Sequence, residues 1–143
     1  MYKACILAVV LLGLAACTTK DSSTKEVEAV VLKDYAAWHT GKFHYTESSI
    51  GTYLINRTDS IQEEFIKSKE MVVEFDIRWQ NDSMYTLTFS KINENPHNNT
   101  VAKGVENLVK KCTITNVTEK SYAEKATSNL MDKTVFTTIF RNR

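Results

Sequence analysis

The stretch MVVEFDIRWQNDSMYTLTF, residues 71–89, decides the fold. Apolar and polar residues alternate along its first half, as they do on a strand that buries one face. The apolar positions are Val73, Phe75, Ile77 and Trp79, and the alternation returns at Tyr85, Leu87 and Phe89 after the turn residues Asn81-Asp82-Ser83. A single register pairs Trp79 with Tyr85, Ile77 with Leu87 and Phe75 with Phe89. The stretch therefore predicts an antiparallel hairpin.

Further segments with strand character lie on both sides of this hairpin. They are KFHYT (42–46), IGTYLINRT (50–58) and DSIQEEFIK (59–67) before it, and LVKKCTITNV (108–117), SYAEKATS (121–128) and TVFTTIFRN (134–142) after it. A polar loop over residues 93–107 holds the only proline. The sequence predicts a mainly β domain, an antiparallel meander of seven or eight strands that forms either an open curved sheet or a small lipocalin-like barrel.

A different periodicity precedes the first strand. In residues 25–38, Val27, Val30, Val31 and Trp38 fall at helical spacing, with Tyr35 near the same face. This pattern predicts a short N-terminal amphipathic helix that packs on the β domain. The alternative is a helix at a membrane surface, but the segment lacks a strongly basic polar face.

The chain begins like an exported protein. Lys3 is followed by an uncharged apolar run from Ala4 to Ala16, which is shorter than the roughly 20 residues that a membrane-spanning helix needs. A basic start, a short apolar run and small residues at its end are typical of a signal peptide. The alternative is a buried N-terminal helix that happens to contain a cysteine.

Leu14-Ala15-Ala16-Cys17 resembles the bacterial lipobox, in which the cysteine receives a diacylglyceryl group and becomes the new N-terminus. The new amino group usually takes a further acyl chain, such as palmitate. The resemblance implies a signal peptide over 1–16, lipidation at Cys17, a lipidated tether over 17–25 and a single β-rich domain over 26–143. Thr18, rather than Asp, follows the cysteine. In lipoproteins of this kind, the absence of Asp at that position implies the outer membrane of the bacterial cell envelope. It does not specify the inner or the outer leaflet.

Charge excludes one class of partner. The chain has 18 basic and 17 acidic residues, and removal of residues 1–16 takes away only the charge of Lys3. The remaining chain is neutral, with no basic excess for a phosphate backbone. We therefore expect no nucleic acid partner.

Few residues offer chemistry for an enzyme or a metal site. Beyond Cys17, the mature chain holds one cysteine, Cys112, so no intramolecular disulfide is expected, and a small packed residue is the simplest role for it. His39 and His44 are five residues apart and would face opposite sides of one strand. No nucleophile motif or phosphate-binding glycine loop is present. We expect no metal, no cofactor and no enzymatic activity.

One set of residues could line a ligand pocket. It consists of the hairpin residues Phe75, Ile77, Trp79, Tyr85, Leu87 and Phe89, together with Glu63. Such apolar stripes more often form plain core. Glu63 shares a strand face with Ile61 and Phe65, so it would be either a polar contact inside a cavity, paired with an arginine, or a residue of an edge strand or bulge.

Two short motifs suggest covalent modification. Asp59-Ser60-Ile61 and Asp82-Ser83-Met84 resemble the Asp-Ser/Thr-apolar motif of O-glycosylation in exported proteins of Bacteroidota. The resemblance implies Ser60 and Ser83 as acceptor residues.

Residues 40–89 carry a broader resemblance. The pattern Thr-Gly-x-Phe-x-Tyr, then Arg-x-Asp-Ser-x-Gln-x-Glu, then Trp-x-x-Asp-x-x-Tyr-x-Leu is similar to a family of small uncharacterised lipoproteins from flavobacteria and other Bacteroidota. Many members have Cys where this chain has Met84. Some members carry a DNA topoisomerase IV label, which does not suit a short, neutral, exported chain. The resemblance implies no known activity.

Two functions remain open at the level of sequence. One is a lipid-anchored envelope protein with a non-enzymatic binding or structural domain, which would have an envelope protein as partner. The other is a lipocalin-like carrier of a small apolar ligand. A closed barrel with an internal cavity of several hundred cubic ångströms favours the carrier, and a filled core favours the first function.

Overall fold

The computed structural model describes residues 34–142, which form eight antiparallel strands in chain order. The strands are β1 Gly41–Glu47, β2 Gly51–Arg57, β3 Ile61–Ile66, β4 Met71–Asn81, β5 Met84–Glu94, β6 Val109–Thr115, β7 Ser121–Ser128 and β8 Met131–Arg141. Each strand pairs with the next, and β8 pairs with β1, so the sheet closes into a barrel. The predicted antiparallel β meander is confirmed, and of its two forms the chain adopts the barrel.

Within the described part of the chain, three short 3-10 helices accompany the strands. They are Ala36–Trp38 before β1, Lys67–Lys69 between β3 and β4, and Val105–Asn107 in the loop before β6. The first places Trp38 across one end of the barrel, where its ring stacks on Phe43 and meets Tyr122 edge to face. We call this end, near the start of β1, the closed end.

The predicted hairpin register is confirmed. Trp79 lies opposite Tyr85, Ile77 opposite Leu87 and Phe75 opposite Phe89. Outside this stretch the pairing shifts by a residue in three places, between Val72 and Val73, Glu74 and Phe75, and Trp79 and Asn81. Bulges of this kind increase local twist, which lets a long hairpin curve around a barrel.

The core consists of residues that alternate inward along the strands. Its members from the hairpin are Met71, Val73, Phe75, Ile77, Tyr85 and Leu87, and the other strands add Phe43, Tyr53, Ile55, Ile66, Cys112, Ile114, Tyr122, Ala126 and Ile139. Closing the sheet gives every strand two neighbours and removes the free edges of an open sheet.

One junction of the barrel is much shorter than the others. β8 pairs with β1 at only two positions, Phe43 with Arg141 and His44 with Phe140. Beyond them the strands separate, so the rest of β8 has no partner on that side among the described residues. We call this gap, between Tyr45–Ser48 and residues 131–139, the open seam.

The N-terminal predictions fall outside the described residues. These are the signal peptide 1–16, lipidation at Cys17, the tether 17–25 and the amphipathic helix up to residue 33. The last residues of that helix prediction are described, and they form the 3-10 helix Ala36–Trp38. Within residues 34–142, none of the helices has the length and apolar character to span a membrane.

The β4–β5 turn gives a test of the hairpin. Asn81 Oδ1 accepts hydrogen bonds from the backbone N–H of Ser83 and of Met84. We expect Asn81→Ala to lower the free energy of unfolding by about 1 kcal/mol, because both N–H groups lose a partner that fixes the turn. Urea denaturation measures this loss. Asp82→Ala in the same turn is the control. An equal effect of both variants would show that the asparagine bonds do not set the turn.

Candidate functional site: a cavity in the barrel interior

A cavity of about 640 Å³ lies in the barrel interior and extends into the open seam. Its apolar wall includes Ile55, Ala126, Val135 and Ile139, which point inward from β2, β7 and β8. The hairpin β4–β5 lies on the other side of the interior, where its side chains fill the space. The interior is therefore half packed core and half cavity, and the volume lies within the range of small-molecule sites.

The cavity reaches the surface through the open seam. Residues that alternate to the outer face, such as Thr46, Phe136 and Phe140, line the same space as the inward residues. Phe136 is 71% exposed and Phe140 is 43% exposed. Since both strands of the seam border the cavity, a molecule can enter through the side of the barrel and meets apolar side chains as it does so.

Four side chains of the polar wall form one group, which we call the polar cluster. They are Gln62 and Glu64 on β3, Lys110 on β6 and Glu124 on β7. Glu64 accepts a hydrogen bond from Gln62 Nε2 at 2.7 Å and one from the Tyr45 hydroxyl at 3.3 Å. Burial, with Glu64 nearby, raises the pKa of Tyr45 well above its ordinary range, so Tyr45 keeps its proton and acts as a donor.

Lys110 stands opposite Glu124, with Nζ 3.8 Å from Oε1. Burial alone would lower the pKa of Lys110, but the carboxylates of Glu124 and Glu64 outweigh it and raise the pKa. The ammonium therefore stays charged inside the barrel. About a quarter of the Lys110 side chain is exposed, against 5% of the Glu124 side chain. Because Lys110 lines the cavity, we infer that its exposed part faces the cavity.

Arg57 occupies the closed end and is 2% exposed. Its Nε donates to Gln62 Oε1 at 2.7 Å, and its Nη1 donates to the carbonyl of Trp38 at 3.1 Å. Its Nη2 donates to the hydroxyls of Tyr85 at 3.1 Å and Tyr122 at 3.0 Å. One guanidinium thus joins β3, β5 and β7 to the segment before β1.

A hydrogen-bonded chain connects Arg57 to the polar cluster. The Tyr85 hydroxyl accepts from Arg57 and donates to Glu124 Oε2. Burial would lower the pKa of Arg57, but Tyr85, Tyr122 and Glu124 raise it, and burial raises the pKa of Tyr85. Arg57 therefore stays charged and Tyr85 stays protonated, so the charge of Glu124 has partners on two sides.

The structure places the sequence-predicted pocket residues mainly in the packed half of the interior. Phe75, Ile77, Tyr85 and Leu87 are buried core residues. Trp79 is half-buried at the closed end, where its ring stacks on His39 at 3.6 Å. Phe89 is half-buried and meets Phe75 edge to face. None of the six borders the cavity described above.

Glu63 lies on the outer face of β3 and does not line the barrel interior. Its carboxylate accepts hydrogen bonds from Asn56 on β2 and from Asn93 on β5. The interior carboxylate of this strand belongs to the next residue, Glu64. The sequence hides this difference because β3 carries apolar residues on both faces, Ile61 and Phe65 outside and Ile66 inside.

The two predicted glycosylation residues differ in accessibility. Ser60 is exposed in the turn between β2 and β3. Ser83 is half-buried, its hydroxyl donates to Asn81 Oδ1, and its carbonyl accepts from Ile114 N. Ser60 is therefore the more accessible of the two, and modification at either residue stays a prediction.

Cys112 is buried, and burial together with Glu124 raises the pKa of its thiol. A buried thiol of this kind is a poor nucleophile. Within residues 34–142, no group of three or more His, Cys, Asp or Glu side chains has metal-binding geometry.

Sequence reasoning missed Glu64, Lys110 and Glu124. One signal was present: in β7, Glu124 alternates with Tyr122 and Ala126, so a carboxylate shares a face with core residues. For β6 the alternation is Lys110, Cys112 and Ile114. When two adjacent strands each carry a charged residue on their buried face, the two charged side chains are expected to lie together in the interior.

Comparison with known proteins returns no matching family model, no matching curated protein and no matching solved structure. The site is therefore interpreted from its own geometry.

The Arg57 network makes a stability prediction. Arg57→Met keeps most of the side-chain volume but removes the donor to Gln62, Tyr85 and Tyr122. We expect the free energy of unfolding to fall by about 3–5 kcal/mol, because several buried polar groups lose a charged hydrogen-bond partner at once. Arg78→Met, on the exposed outer face of β4, should change it by less than about 0.5 kcal/mol. Equal urea midpoints for wild type and Arg57→Met would contradict the proposed role of the buried cation.

Proposed function

We propose that this domain binds a small amphipathic molecule inside the barrel, as a lipocalin-like carrier does. The observation that carries the proposal is the cavity of about 640 Å³ in the barrel interior. This cavity reaches the surface through the open seam. A purely structural domain has no need of such a space, because an unfilled interior loses packing energy. The cavity therefore favours the carrier over the structural role.

The composition of the wall supports an amphipathic ligand. Apolar side chains on β2, β7 and β8 would cover a hydrocarbon part, and the polar cluster would contact a polar part. The open seam would admit the ligand without unfolding of an end of the barrel. Exposed Phe136 and Phe140 at the seam would lower the barrier for an apolar molecule that leaves a membrane or another protein.

We also propose that lipid on Cys17 holds the domain at the bacterial cell envelope, in the outer membrane. The support is the sequence at residues 1–18 and the resemblance to small lipoproteins of Bacteroidota. A short tether over 17–25 would keep the barrel near the bilayer, where amphipathic molecules are abundant. An envelope protein that delivers or receives the ligand would then be its natural partner.

A cavity-filling substitution tests ligand binding. In the purified full-length protein, Ala126→Phe places a ring in the cavity, whereas Ala123→Phe places one on the outer face of the same strand. We expect Ala126→Phe to weaken the binding of the neutral dye N-phenyl-1-naphthylamine about tenfold, a loss of about 1.4 kcal/mol. Dye fluorescence measures the affinity.

The control variant Ala123→Phe should bind the dye like wild type. Urea midpoints of both variants show whether overpacking has damaged the fold. If wild type binds no dye, or if both variants bind as well as wild type, the barrel interior is not a binding site.

Labelling tests the anchor. Cells that express the full chain should incorporate labelled palmitate into the protein, and the Cys17→Ser variant should not, because serine lacks the thiol that takes the lipid. Thr18→Ala, at the next residue of the chain, is the matched control and should still be labelled, because it leaves the thiol in place. Normal processing and membrane association of Cys17→Ser would exclude the lipoprotein assignment.

A further inference from the structure

The polar side of the cavity has unused hydrogen-bond donors. Ser128 Oγ is buried and has no partner among the described residues. The Lys110 ammonium makes no hydrogen bond within residues 34–142, and its nearest ion-pair contact, Glu124, is 3.8 Å away. Ser128 and Lys110 lie directly opposite each other on β7 and β6, so both side chains leave the wall at the same place.

The two buried carboxylates of the cavity already have partners. Glu64 accepts from Gln62 and Tyr45, and Glu124 accepts from Tyr85 and faces Lys110. Buried polar groups in folded proteins nearly always have hydrogen-bond partners, so the unpartnered Ser128 hydroxyl, beside an ammonium that makes no hydrogen bond, calls for an acceptor from outside the chain. An oxygen atom of a ligand meets this need.

Charge decides which kind of oxygen fits. Lys110 and Arg57 are balanced by Glu64 and Glu124 within the barrel. Both carboxylates act on Lys110, so its positive charge is already compensated. Burial of an unbalanced charge is unfavourable. An anionic ligand would add an unbalanced negative charge beside two carboxylates, and a cationic ligand would add a positive charge beside the ammonium of Lys110.

We propose that the cavity selects uncharged amphiphiles whose polar end carries an oxygen acceptor, and that Lys110 Nζ and Ser128 Oγ hold this oxygen. The hydrocarbon part of the ligand lies along Ile55, Val135 and Ile139 and extends toward the open seam. Long-chain alcohols and primary amides belong to this class, and fatty acids and alkylamines do not. This inference rests on the proposed binding function and specifies its ligand.

The experiment is a displacement series on the purified full-length protein. Bound N-phenyl-1-naphthylamine is displaced by five twelve-carbon compounds: dodecanol, dodecanamide, dodecanoate, dodecylammonium and dodecane. We expect dodecanol and dodecanamide to bind about tenfold more tightly than the other three, which is the effect of one hydrogen bond to a charged donor.

Two variants assign the effect to the donor pair. Ser128→Ala removes the hydroxyl without a change of charge and should weaken dodecanol binding about threefold to tenfold. Lys110→Met should weaken it about tenfold. Urea midpoints close to that of wild type for both variants show that the barrel is intact. Lys111→Met, on the outer face of β6, is the matched control and should leave all affinities unchanged.

The outcomes separate this inference from the proposed function. Absence of dye binding to wild type overturns both. Normal dye binding with dodecanoate or dodecylammonium as the tightest competitor keeps the binding function and overturns the selection of uncharged ligands. Equal affinity for dodecanol and dodecane, or no effect of either variant on dodecanol, overturns the role of Lys110 and Ser128.

Discussion

The rest of this structure depends on a single buried cation. Arg57 is enclosed at one end of the barrel, where its guanidinium bonds to side chains of three strands and to the Trp38 carbonyl. A buried charge is tolerated only when its partners satisfy it, so those strands must approach within hydrogen-bond distance of one another. The same requirement brings Tyr85, and through it Glu124, toward the centre of the barrel. The closed end and the polar side of the cavity are therefore parts of one network.

The barrel uses its two halves differently. The long hairpin β4–β5 supplies large side chains that pack against each other, which provides the burial that stabilises a small domain. The shorter strands carry smaller or charged residues inward, such as Ala126, Glu64 and Lys110, and leave a space. The two-pair junction between β1 and β8 opens that space to the surface. The β4–β5 hairpin thus stabilises the barrel, and the β1–β8 junction on the other side of the barrel gives access to the cavity.

The hairpin could be predicted because its information is local. The pairing of Trp79 with Tyr85, and the two pairs after it, followed from alternation and from a turn at Asn81. The candidate site could not be predicted in the same way. β3 carries apolar residues on both faces, so alternation did not show that Glu64, and not Glu63, faces inward. The approach of Lys110 to Glu124 depends on the pairing of β6 with β7, which becomes an interior contact only in a closed barrel.

By itself, the sequence determined the strand-rich class, the order of the strands, the hairpin register and a neutral chain without excess basic charge. These properties depend on neighbours in the chain, on side-chain alternation and on composition. Only the tertiary structure decided that the meander closes, that Arg57 is buried, that the aromatic stripe is core, and that a cavity opens beside it. Closure pairs β1 with β8, which lie at opposite ends of the domain in the sequence. Whether a space remains in the interior depends on the summed volumes of the side chains from all eight strands.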